Sequence, residues 1–282
     1  MYLTEDGIIG FVKKNNGIVI TRPIIKTPNY KTEHIFAAIT GYETIISHFF
    51  TKILDNLLAR KVTLLIVETD KVIIKKEWLD HEKIKNVYTW NKPFEHEKLK
   101  FLPIGLNLRR QLLSITKFVN GGKATNKNKL LCFNCDLETN PERKILHDLV
   151  ASWDFCDRLK FLKPNESYFF NSKIEGNILI RVTNPKCYEQ WINYKFILSP
   201  PGAGIDCHRT YEAVICGIIP IVKSSILDPM YEDLPILIVK EWNNINPLFL
   251  EEKFEQITNN KKLNKYNMEK INLKYWIEKF LK

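Results

Sequence analysis

The sequence predicts an α/β protein whose parallel sheets are covered on both faces by helices. Three observations carry this. Short, continuous apolar runs such as Val62 to Val67 and Leu130 to Asn134 alternate with amphipathic stretches. Residues 195–222, KFILSPPGAGIDCHRTYEAVICGIIPIV, read as strand, Gly-rich loop, helix and strand. The 282 residues suffice for about two domains, since domains typically run ~100–200 residues.

The elements follow in order. GIVITRPII at 17–25 is a first strand and its exit. Residues 43–58 give the clearest helix, with Ile45, Ile46, Phe49, Phe50, Ile53, Leu54, Leu57 and Leu58 at helical spacing. The strand Val62 to Val67 ends in Glu68-Thr69-Asp70, and Ile84 to Trp90 and Lys100 to Ile104 are two more strands. The polar, Gly-containing run at 120–128 is the expected linker. Beyond it, Leu130 to Asn134 is a strand, and Asn140-Pro141-Glu142 opens a helix with an Asn cap, Pro first and then an acid. Ile145, Leu146, Leu149 and Val150 are its buried stripe. Tyr188 to Tyr194 is a short helix. Gly217 stops the helix after the Gly-rich loop, and Ile218 to Val222 and Pro235 to Val239 are buried strands. Leu273, Trp276, Ile277, Phe280 and Leu281 share a helical face, so the C-terminus docks. No internal repeat is visible. The expected domains are 1–119 and 129–262, with 263–282 as a docking helix.

The net charge is +10, and the last 22 residues hold seven Lys against two Glu. The plain reading is a solvated basic helix; the sharper one is attraction of this tail to an anionic partner such as a membrane surface (by peripheral contact), nucleic acid or nucleotide. No basic run with interleaved aromatics suggests a nucleic-acid partner. The N-terminus lacks the charged-then-apolar order of a signal peptide. No run of ~18 uncharged apolar residues exists, so a soluble, cytoplasmic protein is expected. Six scattered Cys fit buried thiols in a reducing compartment. Cys132-x-x-Cys135 lacks the further ligands a zinc site needs.

Chemistry concentrates after the strand ending at Leu198. Ser199, Gly202 and Gly204 stand at a strand's carboxyl end, where open α/β sheets bind ligands. Asp206, His208, Arg209 and Glu212 crowd the helix start that follows, and packing alone requires none of them. Arg209 offers a fork of donors suited to phosphate. Glu212, one turn on, suits two ribose hydroxyls. The alternative is a tight turn whose glycines supply φ > 0. His208 reads as a ligand contact or as a structural group of the loop. Lys223, after the next strand, reaches a phosphate or faces solvent. Arg143 opposes the dipole of its own helix, so it serves an anion or is a plain surface residue. Asp70 is a candidate general base or a turn former, with Glu43 and Glu68 as lesser candidates for the base. Glu68 and Asp70 together form an acid-x-acid pair that a divalent metal could use.

Residues 195–242 resemble the exostosin-like glycosyltransferases, including the small soluble forms of large DNA viruses and bacteria. The matching residues include Phe196, Leu198, Ser199, Pro200, Gly202, Gly204, Asp206, His208, Arg209, Glu212, Gly217, Pro220, Leu227-Asp228, Tyr231 to Pro235 and Trp242. Leu102 to Leu106 and Asn140 to Arg143 extend the match weakly. The resemblance implies a GT-B-like architecture, with two Rossmann-like domains whose parallel sheets face a central cleft. It implies that the second domain holds a UDP- or GDP-linked sugar and the first a glycan or glycoconjugate acceptor, with no cofactor and no metal. Glu212 would hold the ribose, and Arg209 with Arg143 the diphosphate. Many retaining GT-B enzymes carry a second Glu eight positions after the first; Pro220 stands there, which favours inversion, the outcome the resemblance implies, and a base such as Asp70. A host-cytoplasmic location follows if the chain is viral. Two other readings stay open: a metal-dependent GT-A transferase using Glu68 and Asp70, and a non-catalytic relative that binds nucleotide or glycan.

Overall fold

A computed structural model describes residues 2–21, 31–40, 43–67, 69–70, 74–106, 127–159, 173–175, 178–180 and 186–282. The chain is α/β and divides into two compact units, residues 1–105 with 269–282, and residues 106–268. Each unit carries a five-stranded parallel sheet.

The first unit opens with α1, Glu5–Lys14, which the sequence pattern had not marked as a helix. Its signals are nevertheless local. Thr4 caps it by accepting from the Gly7 amide, Glu5 and Asp6 sit in the first turn, and Lys13 and Lys14 in the last. The sheet runs β1 (Ile18–Ile20), β2 (His34–Thr40), β3 (Lys61–Val67), β4 (Ile84–Thr89) and β5 (Leu99–Phe101), in sequence order. The helix expected over 43–58 is α2, Glu43–His48, continued by a wider π turn, Phe49–Ile53. A short α3, Lys76–Leu79, precedes β4.

Parallel strands in sequence order send their right-handed crossovers to one face, so the other face needs cover from outside the series. On the crossover side, Ile35, Ala37 and Ile39 of β2 pack with Ile45, Ile46 and Phe49. On the opposite side, Phe36 of β2 meets Phe11 of α1, and Phe11 meets Phe280 at the far end of the chain. Phe280 also packs against Tyr88 of β4, whose hydroxyl donates to the Lys279 carbonyl. The last helix therefore completes the first unit's core, not that of the unit preceding it in sequence. A turn recurs before β4 and β5: the rings of His81 and His96 each accept, through Nδ1, the amide of the lysine two residues on at 3.1 Å.

In the second unit, β6 (Lys129–Phe133) leads through α4 (Pro141–Val150) to β7 (Cys156–Arg158). A two-stranded antiparallel ribbon, β8 (Lys173–Glu175) and β9 (Ile178–Ile180), and the short α5 (Lys186–Glu189) follow. Then come β10 (Tyr194–Leu198), α6 (His208–Ile215), β11 (Ile219–Lys223), α7 (Asp228–Tyr231), β12 (Leu237–Val239) and α8 (Pro247–Lys262). The sheet order is β7-β6-β10-β11-β12. The chain moves outward from β6 in one direction to β7 and in the other through β10. This makes the carboxyl ends of β6 and β10 a topological switch point, the place where such sheets bind ligands. Leu146 and Val150 of α4, with Leu250 and Ile257 of α8, pack on Leu131, Phe133, Phe196 and Leu198. The C-terminal helix α9 is Leu273–Leu281, burying Leu273, Trp276 and Phe280 while Leu281 is exposed.

Gly217 ends α6 as the sequence implied. Its φ is +72°, the Ile218 amide donates to Ala213 O and the Gly217 amide to Val214 O, so the helix closes in a left-handed Schellman turn.

Candidate functional site

The switch point is built from two loops, residues 134–140 after β6 and residues 199–207 after β10. Asn140 joins them: its Oδ1 caps α4 by accepting from the Glu142 amide, and its Nδ2 donates to Gly202 O at 2.7 Å. Arg143 bonds them more firmly. Its Nε donates to Pro201 O at 2.8 Å, Nη1 to Asp136 O at 3.0 Å, and Nη2 approaches Cys207 Sγ at 3.8 Å. Arg143 is buried, with its pKa lowered first by that burial and then by the neighbouring charge of Arg209. Gly202 leaves room for this clamp, because a Cβ there would press on Arg143 Nη2 from 3.0 Å. Positive φ, the other reason to expect glycine, is found among the described glycines at Gly105 and Gly217 and not in this loop. Gly204 is buried and its carbonyl accepts from the Gly202 amide.

Ser199 is buried, its Oγ 3.0 Å from Thr210 Oγ1, which ties the end of β10 to α6. Asp206 faces inward. It accepts from Tyr211 OH at 2.9 Å, Tyr231 OH at 2.7 Å and the Cys207 amide at 3.0 Å. Burial, then the charge of Asp206, pushes both phenols well above the usual tyrosine range. Asp206 thus organises the loop from behind. His208 is the half-buried first residue of α6, and its predecessor Cys207 makes no side-chain cap to the helix.

Arg209 and Glu212 differ from all of these. Arg209 is half-buried, and its Nη1 is shielded from water with no hydrogen-bond partner. Glu212 is 3% exposed, and its Oε1 is likewise shielded and unpartnered. The two lie three residues apart on one helix, a spacing that permits an ion pair, yet none joins them. Burial raises the Glu212 carboxyl to about 7, with Arg209 pulling against it.

Lys223, at the end of β11, pairs with Glu241 at 2.9 Å, and that bond raises its pKa. Beside it Trp242 Nε1 donates to Glu142 Oε1 at 2.8 Å. In the first unit, Asp70 is exposed just beyond β3, its carbonyl accepting from Asn91 Nδ2 at 3.2 Å. Glu43 is the exposed first residue of α2. Glu68 and residues 120–126 of the expected linker lie outside the described residues. Among the described residues, no three or more His, Cys, Asp or Glu converge as a metal site, and no helix is long and apolar enough to cross a membrane. Cys132 and Cys135 are buried free thiols, raised by burial.

Sequence reasoning singled out Arg209 and Glu212 as candidates and did not assign the supporting contacts of Asn140, Thr210, Tyr211 and Tyr231. Asn140 was legible only as a helix cap. Its second bond, to Gly202, spans 62 residues and leaves no local pattern.

No family model matches the chain, and no curated protein matches it. A solved structure titled "Crystal Structure of alpha1,3-Fucosyltransferase" is similar to it with a TM-score of 0.36 and 10% identity, over 87% of this chain and 81% of the other.

Proposed function

We propose that the protein is a glycosyltransferase that takes a sugar from a UDP- or GDP-linked donor seated at the second unit's switch point. One observation carries this reading: Arg209 Nη1 and Glu212 Oε1 are both shielded from water and both lack partners. Leaving such groups unmet costs roughly 1–3 kcal/mol each, more when charged. A fold keeps that cost where a ligand removes it. A phosphate would satisfy the guanidinium, and a ribose diol would satisfy the carboxylate. The positive end of the α6 dipole, at a helix start without a side-chain cap, favours the same anion.

The clamp formed by Arg143 and Asn140 holds the two loops in the shape the ligand needs. Arg143 acts in this reading by positioning, and by adding positive potential beside Arg209, more than by direct contact. On departure of the sugar the diphosphate gains charge, which Arg209 and the positive end of the α6 dipole stabilise. The reading is inverting and needs no metal: Asp70 takes the proton of the acceptor hydroxyl as that oxygen attacks the anomeric carbon. Peripheral contact of the lysine-rich C-terminus with an anionic membrane would bring a membrane-borne glycoconjugate within reach.

The test is turnover by wild type and Asp70→Asn across UDP- and GDP-sugars, with donor binding measured in parallel. Transfer is expected to fall at least roughly a hundredfold in the variant with donor affinity unchanged. Equal turnover removes Asp70 from the mechanism.

A further inference from the structure

We propose that nucleotide uptake at this site expels a proton from the carboxyl group of Glu212. The inference rests on the nucleotide reading above and adds a proton to its stoichiometry. Glu212 is buried with one oxygen unpartnered, and the charged group acting on it is Arg209 of its own helix.

The described elements around it supply no replacement. Asp206, in the loop before α6, is occupied by Tyr211, Tyr231 and the Cys207 amide. Arg143, on α4, is held by the Pro201 and Asp136 carbonyls. Lys223 of β11, the strand against which α6 packs, is paired with Glu241. The thiols of Cys135 and Cys207 are raised by burial and stay neutral at ordinary pH. The empty site therefore keeps much of Glu212 protonated near neutral pH.

Ligand hydroxyls that donate to this carboxyl group favour its ionised form. On docking, the carboxyl O–H bond breaks, the proton passes to buffer, and the carboxylate accepts the two ligand hydroxyls in its place. The charge of the diphosphate works in the opposite sense, and Arg209 offsets it.

The experiment is calorimetric titration of the wild-type chain with UDP-glucose and with GDP-mannose at pH 6 and pH 8, in buffers of different ionisation enthalpy. Sugar-linked diphosphates have no titrating proton in this range, so the proton count reports on the protein. With Glu212 raised to about 7, roughly one proton should leave per site at pH 6 and almost none at pH 8, with affinity about tenfold weaker at pH 6. Glu212→Gln, checked for folding by its melt, should bind with no such release. Binding with no proton release at pH 6, or with net uptake, overturns the proposal and leaves the nucleotide reading standing. No binding of either sugar nucleotide at either pH overturns both.

Discussion

Lys92, just past β4 in the first unit, and Glu212, on α6 in the second, are both ionisable groups buried near the carboxyl end of a parallel sheet. Lys92 is met twice, by the carboxylate of Glu95 and by the ring of Phe101, whose centroid lies 4.4 Å away. Two residues close to Lys92 are likewise bonded: Thr89 Oγ1 donates to Trp90 O, and Asn91 Nδ2 to Asp70 O. Glu212 has an oxygen that nothing meets. Burial alone therefore does not mark a functional group. A buried charge with its partners in place is part of the fold, and one without them calls for a separate explanation.

That contrast predicts opposite signs on stability. The largest effect belongs to Glu212→Gln. Burial lifts the folded-state carboxyl from its ordinary 4.5 to about 7, so between those values the unfolded chain loses its proton first and stability falls as pH rises. Removing the carboxyl should leave stability unchanged at pH 4 and raise it at pH 8 by roughly 3 kcal/mol, read from urea melts at both pH values. No gain at pH 8 would mean that the carboxylate is already compensated, and the contrast with Lys92 would collapse.

The smaller effect is in the first unit. Glu95→Gln removes one of two partners of Lys92, and Glu95 is itself 71% exposed. A loss of about 1 kcal/mol is expected, since an exposed partner is worth little but the buried ammonium keeps its cost. A gain in stability there would show that partnered and unpartnered charges behave alike.

Much of the second unit was legible because its signals are local. Asn140-Pro141-Glu142 and Gly217 set helix ends through capping and a left-handed turn, which a few adjacent residues determine. Continuous apolar strands announced the parallel sheets. Arg209 and Glu212 stood out because packing had no use for them. What could not be read is long-range. The fate of Arg143 depends on carbonyls of Pro201 and Asp136, set in place by the strand order. Asp206, grouped by its position with the ligand-facing residues, turns inward because Tyr211 and Tyr231 supply hydroxyls behind it. The wider turn at Phe49–Ile53, which buries Phe49, Phe50 and Ile53 in the core, is not encoded by helical periodicity alone. The allegiance of the last helix to the first sheet follows from sequential strand order, a property of topology invisible in the C-terminal sequence itself.

The central claim is that Arg209 and Glu212 lack partners because a nucleoside diphosphate supplies them. The most direct measurement titrates UDP and GDP at pH 7.5 into wild type and Arg209→Leu, following heat and melting temperature together. The account predicts saturable binding of at least one nucleotide to wild type with a raised melting temperature. In Arg209→Leu, still folded, the affinity should be weaker by roughly a hundredfold. Failure of both nucleotides to bind wild type, or equal binding by the variant, would contradict it.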